Sequence, residues 1–395
     1  MPRREPRPRL ITPVFAMIVV STLAYFIAVG AIQALLPRFV RGPLGGTNFM
    51  VGVSVGAFSF TAVLLRPLAG RLSDRRGRRV LIVTGAAIVA VTFAAYSLAH
   101  SVLAIVIFRM LTGVGEGLFF TSTGSAINDL APDARRGEAV SFFSLAVFGG
   151  LAAGPAGGEF LLDHFGFTAV WWAAGAMAGL AAALGLLITE TRPQHAAIAS
   201  RGPLVHRAAL IPGTVHGTNV WGFAALSSFV PLYALQLGMS GSRYVFLTYS
   251  GIILAIRSLG ARLPDRLGAR TASSTALLFS IAGLLSIGLW GTPAGLFAGT
   301  ASFAVGVALL YPGLMTMVVH SAPVEERGSV IGTFTAFFDL SFGIAALTLG
   351  GVASLFGYRG AFLAAAAAGV AGFLLLITRA GPREAEASVS GTLPS

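Results

Sequence analysis

The feature that most limits how this chain can fold is a set of loops that recur at one fixed spacing. The stretch Arg66 to Arg79 returns as Arg257 to Arg270, 191 positions later. Under that offset Arg66 falls on Arg257, Arg71 on Arg262, Asp74 on Asp265, Gly77 on Gly268 and Arg79 on Arg270. Ala131, Pro132, Arg136 and Gly137 fall on Ala322, Pro323, Arg327 and Gly328, and Phe165-Gly166-Phe167 falls on Phe356-Gly357-Tyr358. Three loops that share one offset mean two similar halves in tandem.

The segments between these loops are apolar. Of 395 residues, 55% are hydrophobic and only 11% charged, against roughly 25% charged in a soluble domain. Lipid is therefore the solvent for most of the chain. A membrane helix needs about 20 mainly apolar residues. The sequence predicts twelve such spans: 12–37, 49–69, 80–99, 102–127, 138–162, 168–189, 208–236, 244–261, 272–290, 294–319, 328–355 and 359–379. The expected fold is an all-α integral membrane protein with twelve transmembrane helices in two six-helix bundles. Residues 1–189 form the first bundle, 190–207 a cytoplasmic linker, 208–379 the second bundle and 380–395 a tail. A duplicated apolar chain of this kind is the signature of a secondary transporter.

The net charge is +12, and all 27 basic residues are Arg. Such a balance can signal nucleic acid, but here the Arg residues fall in short loops between apolar spans, which is the membrane pattern. Twenty of the 27 lie on the side that carries both termini, whereas the other side holds Arg38, Arg41, Arg243 and Arg359. The positive-inside rule then places both termini in the cytoplasm of a cell whose inner membrane holds the chain. Arg66, Arg109 and Arg257 remain within the membrane. The apolar run from Ile11 to Leu36 is too long for a signal-peptide core and serves as the first span.

There is no Cys, hence no disulfide framework and no thiolate metal site. No Gly-x₄-Gly-Lys-Ser/Thr loop, hydrolytic triad or metal-ligand cluster is present, so neither an enzyme nor a metal or other cofactor is expected. The expected partners are the bilayer, a small-molecule cargo and protons, with no nucleic acid, for a chain that acts as a monomer.

Three motifs carry a family resemblance. Gly70-Arg71-Leu72-Ser73-Asp74-Arg75-Arg76-Gly77-Arg78-Arg79 resembles the loop-2-3 signature of the major facilitator superfamily, Gly-x-Leu-Ala-Asp-Arg-x-Gly-Arg-Lys, with Ser73 for Ala and Arg79 for Lys. Arg109, Gly113 and Gly115 resemble that family's span-four motif, with Thr112 in place of its usual Gln. Gly150 through Gly158 resemble the Gly-Pro motif of span five associated with exporters; Glu159 departs from the second of its two closing glycines. The resemblance implies a cytoplasmic latch between the halves at Gly70, Asp74, Arg75, Gly77 and Arg79, with Asp265 and Arg266 as the second copy. It also implies kinship with drug:proton antiporters.

The residues themselves suggest roles. Gly150, Gly154 and Gly158 recur at i, i+4 and i+8, which lets a neighbouring helix approach closely, and Pro155 can kink the span; together they form a candidate hinge or seal. Intramembrane charges are costly and mark function or pairing. Asp339 lies amid Phe337, Phe338 and Phe342 with no Arg near it in sequence, and heads the candidates for proton coupling. Glu116 lies two turns beyond Arg109 on one face, an ion-pair geometry or a second proton site. Arg109 can tune or bind but cannot release its proton. Glu159 stands near the outer end of its span. Desolvation favours the protonated carboxyl, so such groups can exchange protons. Tyr25, Gln33, Phe119, Phe120 and Phe338 are candidate cavity residues. His216 and His320 read as hydrogen-bonded interior residues. The expected function is export of small amphipathic or apolar compounds in exchange for protons; the alternatives are a carrier of one metabolite, such as a sugar, amino acid or siderophore, and a transporter-like membrane sensor.

Overall fold

A computed structural model describes residues 10–132, 135–191, 205–259, 268–320 and 326–379. Among the described residues there are ten α-helices and no strand: α1 Pro13–Arg41, α2 Asn48–Arg76, α3 Arg78–Ala95, α4 Val102–Leu130, α5 Arg136–Leu187, α6 Leu210–Gln236, α7 Arg243–Leu259, α8 Ala269–Leu289, α9 Pro293–His320 and α10 Arg327–Arg379. Eight helical segments are long and apolar enough to cross a membrane. With no water in the bilayer core, each backbone N–H and C=O must be satisfied within its own segment, which only the helix achieves here. Side-chain oxygens of Thr12, Thr47 and Ser101 cap the first turns of α1, α2 and α4, where orphan N–H groups would otherwise lack acceptors.

The two halves fold alike down to single torsions. α5 runs for 52 residues and α10 for 53, and each is broken once. The breaks are at Gly166 (φ 78°) and Gly357 (φ 71°), related by the offset of 191. Gly77 and Gly268, related by the same offset, precede α3 and α8 with φ of 100° and 78°. These backbone angles suit glycine, which has no Cβ to clash. Around Pro155 the helix α5 keeps helical torsions, and its one non-helical residue is Gly166.

Within the first half α1 packs on α5, α2 on α4, and α3 on both α4 and α5; within the second, α6 packs on α10, α9 on α8, and α8 on α10. Across the seam α2 meets α10, α5 meets α7 and α1 meets α6. The seam is tied at the end that carries Gly166 and Gly357. There Asn48 Nδ2 donates to Ala353 O at 3.0 Å and the Phe49 N–H donates to Ser354 Oγ at 3.0 Å. A Cβ on Gly52 would stand 2.1 Å from Ala346 O, so the α2–α10 backbones approach as closely as glycine allows.

Candidate functional site

Two arginines from matching positions reach across this seam. Arg66, on α2, donates from Nη2 to Asp339 Oδ1, on α10, at 3.0 Å, and its Nε faces the second carboxylate oxygen. Its guanidinium lies 5.5 Å from the centre of the Phe120 ring. Arg257, on α7, donates to Ser144 Oγ, on α5, at 3.0 Å and lies 4.7 Å over the Phe148 ring. The offset of 191 carries Phe148 onto Asp339 and Phe120 onto Tyr311. One arrangement is thus built twice, with a carboxylate facing the arginine in one copy and a phenyl ring in the other.

This geometry corrects two expectations. Asp339 has an arginine after all; it is 2% exposed and its partner is 273 residues away, beyond the reach of any reading of its sequence neighbourhood. Of the two readings of Glu116, an ion pair with an arginine or a second proton site, the first is not met: it makes no hydrogen bond or ion pair among the described residues. Arg109 turns instead to α2, donating from Nε to Ser54 O at 3.2 Å and from Nη2 to Val55 O at 2.9 Å, with its guanidinium 4.4 Å over Phe58. Backbone carbonyls and a ring face satisfy the arginine and leave the carboxyl on the next turns without a direct partner. Glu116 feels the charges of Arg109, Asp339 and Arg66 and so belongs to the same charged layer.

Glu159 is built into the contact between the halves. It is 2% exposed and accepts from Ser242 N at 2.7 Å, Ser242 Oγ at 2.8 Å and Arg243 N at 3.1 Å. Arg38 and Arg243 stand 3.8 and 3.9 Å away. A carboxylate from α5 therefore caps the start of α7 across the seam, where the helix dipole favours negative charge.

The loop after α2 is organised around a residue that the motif reading passed over. Arg78 is buried; it donates to Asp74, to Ser73 Oγ at 3.1 Å and to Asp129 Oδ2 at 3.0 Å. Glu190 accepts from the backbone N–H of Arg78 at 2.8 Å and of Arg79 at 3.3 Å. A Cβ on Gly77 would stand 2.2 Å from Glu190 Oε2, a second reason for glycine there. Arg79, expected to latch the halves together, donates to Leu186 O, in its own half. The mirror contact is Arg270 to Ile377 O at 3.0 Å, again at the offset of 191. Each is a cation on the carbonyl end of a helix. Gly70 has open space around it, so close approach is not its role. Asp74 and Arg75 are exposed side chains with further interactions. Asp265 and Arg266 lie outside the described residues, as does the His320 side chain.

The span-five stripe faces α1. A Cβ on Gly150 would meet Phe26 at 2.6 Å, on Gly154 the Ile27 carbonyl at 2.4 Å, and on Gly158 Ala31 at 3.1 Å. Gly30 of α1 returns the contact, 3.1 Å from Pro155 Cδ by the same construction. Of the candidate cavity residues, Tyr25 and Phe119 stack on each other at 4.0 Å inside the first half and are fully buried, so neither lines a cavity. Gln33 crosses the seam to donate to Ser227 Oγ at 2.8 Å. Phe120 lies beside Arg66, and Phe338 packs against His216, Phe223 and Phe342. His216 stacks on Phe334 at 5.1 Å, and its Nδ1 has no hydrogen-bond partner, contrary to the expectation of a hydrogen-bonded histidine. A shallow recess of about 540 Å³ beside Arg38, Arg41 and Asp163 is remote from the charged layer.

The sequence profile of the Major Facilitator Superfamily matches residues 17–304 and 258–393. An uncharacterised transporter of that type from Burkholderia pseudomallei (strain 1106a) is 28% identical over 98% of this chain and 97% of its own length. A second, from Salmonella typhimurium (strain LT2), is 28% identical over 88% of this chain and 91% of its own length. Among solved structures, the human organic anion transporter MFSD10 (TETRAN) superposes with a TM-score of 0.73 at 20% identity, covering 94% of this chain and 100% of the other. A POT family transporter solved with a thioalcohol-conjugated peptide superposes with a TM-score of 0.79 at 14% identity, covering 93% and 96%.

Proposed function

The chain belongs to the Major Facilitator Superfamily, and from that premise we propose that it exports small amphipathic or apolar compounds in exchange for protons by alternating access. It is a multi-pass membrane transporter and not an enzyme. We count twelve crossings, because α5 and α10 at 52 and 53 residues are about 80 Å long at 1.5 Å per residue, enough for two passages each of a core about 30 Å thick. The Arg excess then sets the end that carries Gly77 and Gly268 in the cytoplasm of a bacterial inner membrane, with both termini. Residues 1–189 and 208–379 act as the two rocking bundles, and the polar contacts of Glu159 and Asn48 close the outer end of the seam.

The observation that carries proton coupling is Glu116, a carboxyl in the charged layer with no direct partner. Protonation there removes a negative charge that acts on Arg66, Arg109 and Asp339 and so changes the balance at the seam. Phe120, Phe338 and the rings around them supply an apolar, polarisable lining suited to varied apolar bodies. The span-five glycine stripe fits a tight seal between α1 and α5 that keeps ions from leaking past them.

The test is uptake of a fluorescent amphipathic dye, the ethidium cation, and of a panel of metabolites into everted membrane vesicles under an imposed pH gradient. Gradient-driven uptake of structurally diverse compounds is expected, with collapse on adding a protonophore. Uptake of one metabolite alone would favour the single-substrate carrier, and uptake indifferent to the gradient would remove the proton from the mechanism.

A further inference from the structure

Among the described residues, the pseudo-symmetry leaves one intramembrane cation without the counter-charge that its twin possesses. Arg66 has Asp339. At the position that matches Asp339, the first half carries Phe148. Arg257 lies over that ring and gives one hydrogen bond, to Ser144 Oγ, while its Nε is buried with no acceptor. The ionisable groups that act on it are the phenols Tyr249 and Tyr311, and no carboxylate pairs with it among the described residues. In the first half the acidic loop residue Asp74 pairs with Arg78, so that motif does not serve the matching Arg66 either. Arg109 has two backbone carbonyls to accept its protons, and Arg257 has none among the described residues. A desolvated guanidinium without an anion is costly to retain.

Resting on the transporter reading above, we propose that Arg257, Ser144 and Phe148 form the subsite for the charged group of the cargo, and that this cargo is an amphipathic organic carboxylate. The cargo carboxylate stands to Arg257 as the Asp339 carboxylate stands to Arg66, with two oxygens offered to the planar fork of the guanidinium. Ser144 supplies a hydroxyl beside it. The apolar body lies against rings that run from Tyr249 to Phe223 to Phe338, with centroids spaced at 6.0 and 6.1 Å. This narrows the proposed substrates from amphipathic compounds in general to those bearing a single negative charge on an aromatic or aliphatic body.

Full-length protein in nanodiscs of zwitterionic lipid, titrated calorimetrically at pH 7.5 with 1-naphthoate and with the neutral 1-naphthamide, tests this directly. Naphthoate is expected to bind at least about tenfold more tightly than the amide, the size of one charge-assisted hydrogen bond. Arg257→Gln should bring naphthoate down to the amide's affinity and leave the amide unchanged. Phe148→Asp should do the same, because it installs the carboxylate that the symmetric site already has. That variant forms a new ion pair, so it remains informative should Arg257→Gln fail to fold. Equal affinity for the two probes, binding of neither, or a naphthoate preference that survives Phe148→Asp would overturn the proposal. So would loss of the preference when phosphatidylglycerol is added to the nanodisc, since Arg257 would then be a lipid-headgroup site. The assay imposes no gradient. Carboxylate binding without pH-driven transport would therefore refute the exchange mechanism and leave this subsite standing.

Discussion

Arg66 and Asp339 join the two halves of the molecule through a hydrogen bond of 3.0 Å between residues 273 positions apart. Seen through the internal duplication, the pair is half of a symmetric device whose other half, Arg257 over Phe148, lacks the acid. The carboxylate subsite proposed at Arg257 occupies the place that Asp339 holds beside Arg66.

The pair gives the first prediction. Asp339 is 2% and Arg66 19% exposed, so removing one member strands a largely desolvated charge, which costs about 3 kcal/mol or more. Asp339→Asn and Arg66→Gln should each lower the thermal midpoint of purified protein, and the double variant should recover most of the loss. Additive effects in that double-mutant cycle would show that the two side chains are not coupled.

The span-five stripe provides its own control. Gly154 would place a Cβ 2.4 Å from the Ile27 carbonyl, whereas Gly157, one turn-face away, has nothing within 4 Å. Gly154→Ala is therefore expected to destabilise by about 1–3 kcal/mol through overpacking, or to part α1 from α5 and leak protons. Gly157→Ala should be neutral or slightly stabilising. Fluorescence-detected melting of the two variants separates them, and equal midpoints would show that the α1–α5 contact is looser than described.

Where the sequence was legible, the reason is physical. The offset of 191 is read from loop residues alone, and it returns as matched torsions at Gly166 and Gly357 and at Gly77 and Gly268, because a positive φ selects glycine wherever it occurs. The stripe Gly150, Gly154 and Gly158 is legible because helical spacing fixes its face. Pairing across the seam is not legible, since Arg66 and Asp339 lie in segments whose mutual placement depends on the whole fold. Arg78 was overlooked because the motif draws attention to Asp74 and Arg75; its position as the first residue of α3, directly after the positive-φ glycine, was the available signal.

The mirrored clasps, Arg79 on Leu186 and Arg270 on Ile377, lead to a third prediction. Each holds the final helix turn of its own half, so Arg79→Ala and Arg270→Ala should each cost about 0.5–1 kcal/mol, the range for a cation at an exposed helix C-terminus. Neither should alter the seam. Accessibility of a cysteine introduced at Ala353, buried where α10 meets α2 at the outer end of the seam, to a thiol reagent would report on this. A change there in either variant would mean that Arg79 or Arg270 does act between the halves.

Glu159 makes a sharper claim about the seam. Its carboxylate receives two backbone N–H groups and a hydroxyl from the start of α7, and both flanking arginines stand within 4 Å. Glu159→Gln keeps the shape but removes the charge that these donors and cations share. The outer end of the seam should then open more readily, and labelling of the same Ala353→Cys reporter should rise several-fold, since 1.4 kcal/mol is tenfold in a population and a charge-assisted bond is worth about that much. Labelling unchanged from the parent would mean that the cap does not hold the outer gate.

The last prediction concerns the proton. Asp339 is engaged by Arg66, and Glu159 by α7, whereas Glu116 has no direct partner. Asp339 and Glu159 would have to give up hydrogen bonds already made in order to take up a proton, whereas Glu116 has no such bond to break among the described residues. Glu116 is therefore the group expected to bind and release a proton during the cycle. Glu116→Gln fixes the neutral form at nearly the same volume. It should retain cargo binding and cargo-for-cargo exchange, because neither requires a change in protonation, but lose accumulation driven by a pH gradient. Its exchange rate should also lose whatever dependence on pH the parent shows. Asp339→Asn is the discriminating comparison, for it should lower stability through the stranded Arg66 and still show pH-dependent exchange in the folded fraction. If instead Glu116→Gln concentrates cargo at the parent's rate and Asp339→Asn does not, the proton travels on the Arg66–Asp339 pair, which must then open and close at each turnover.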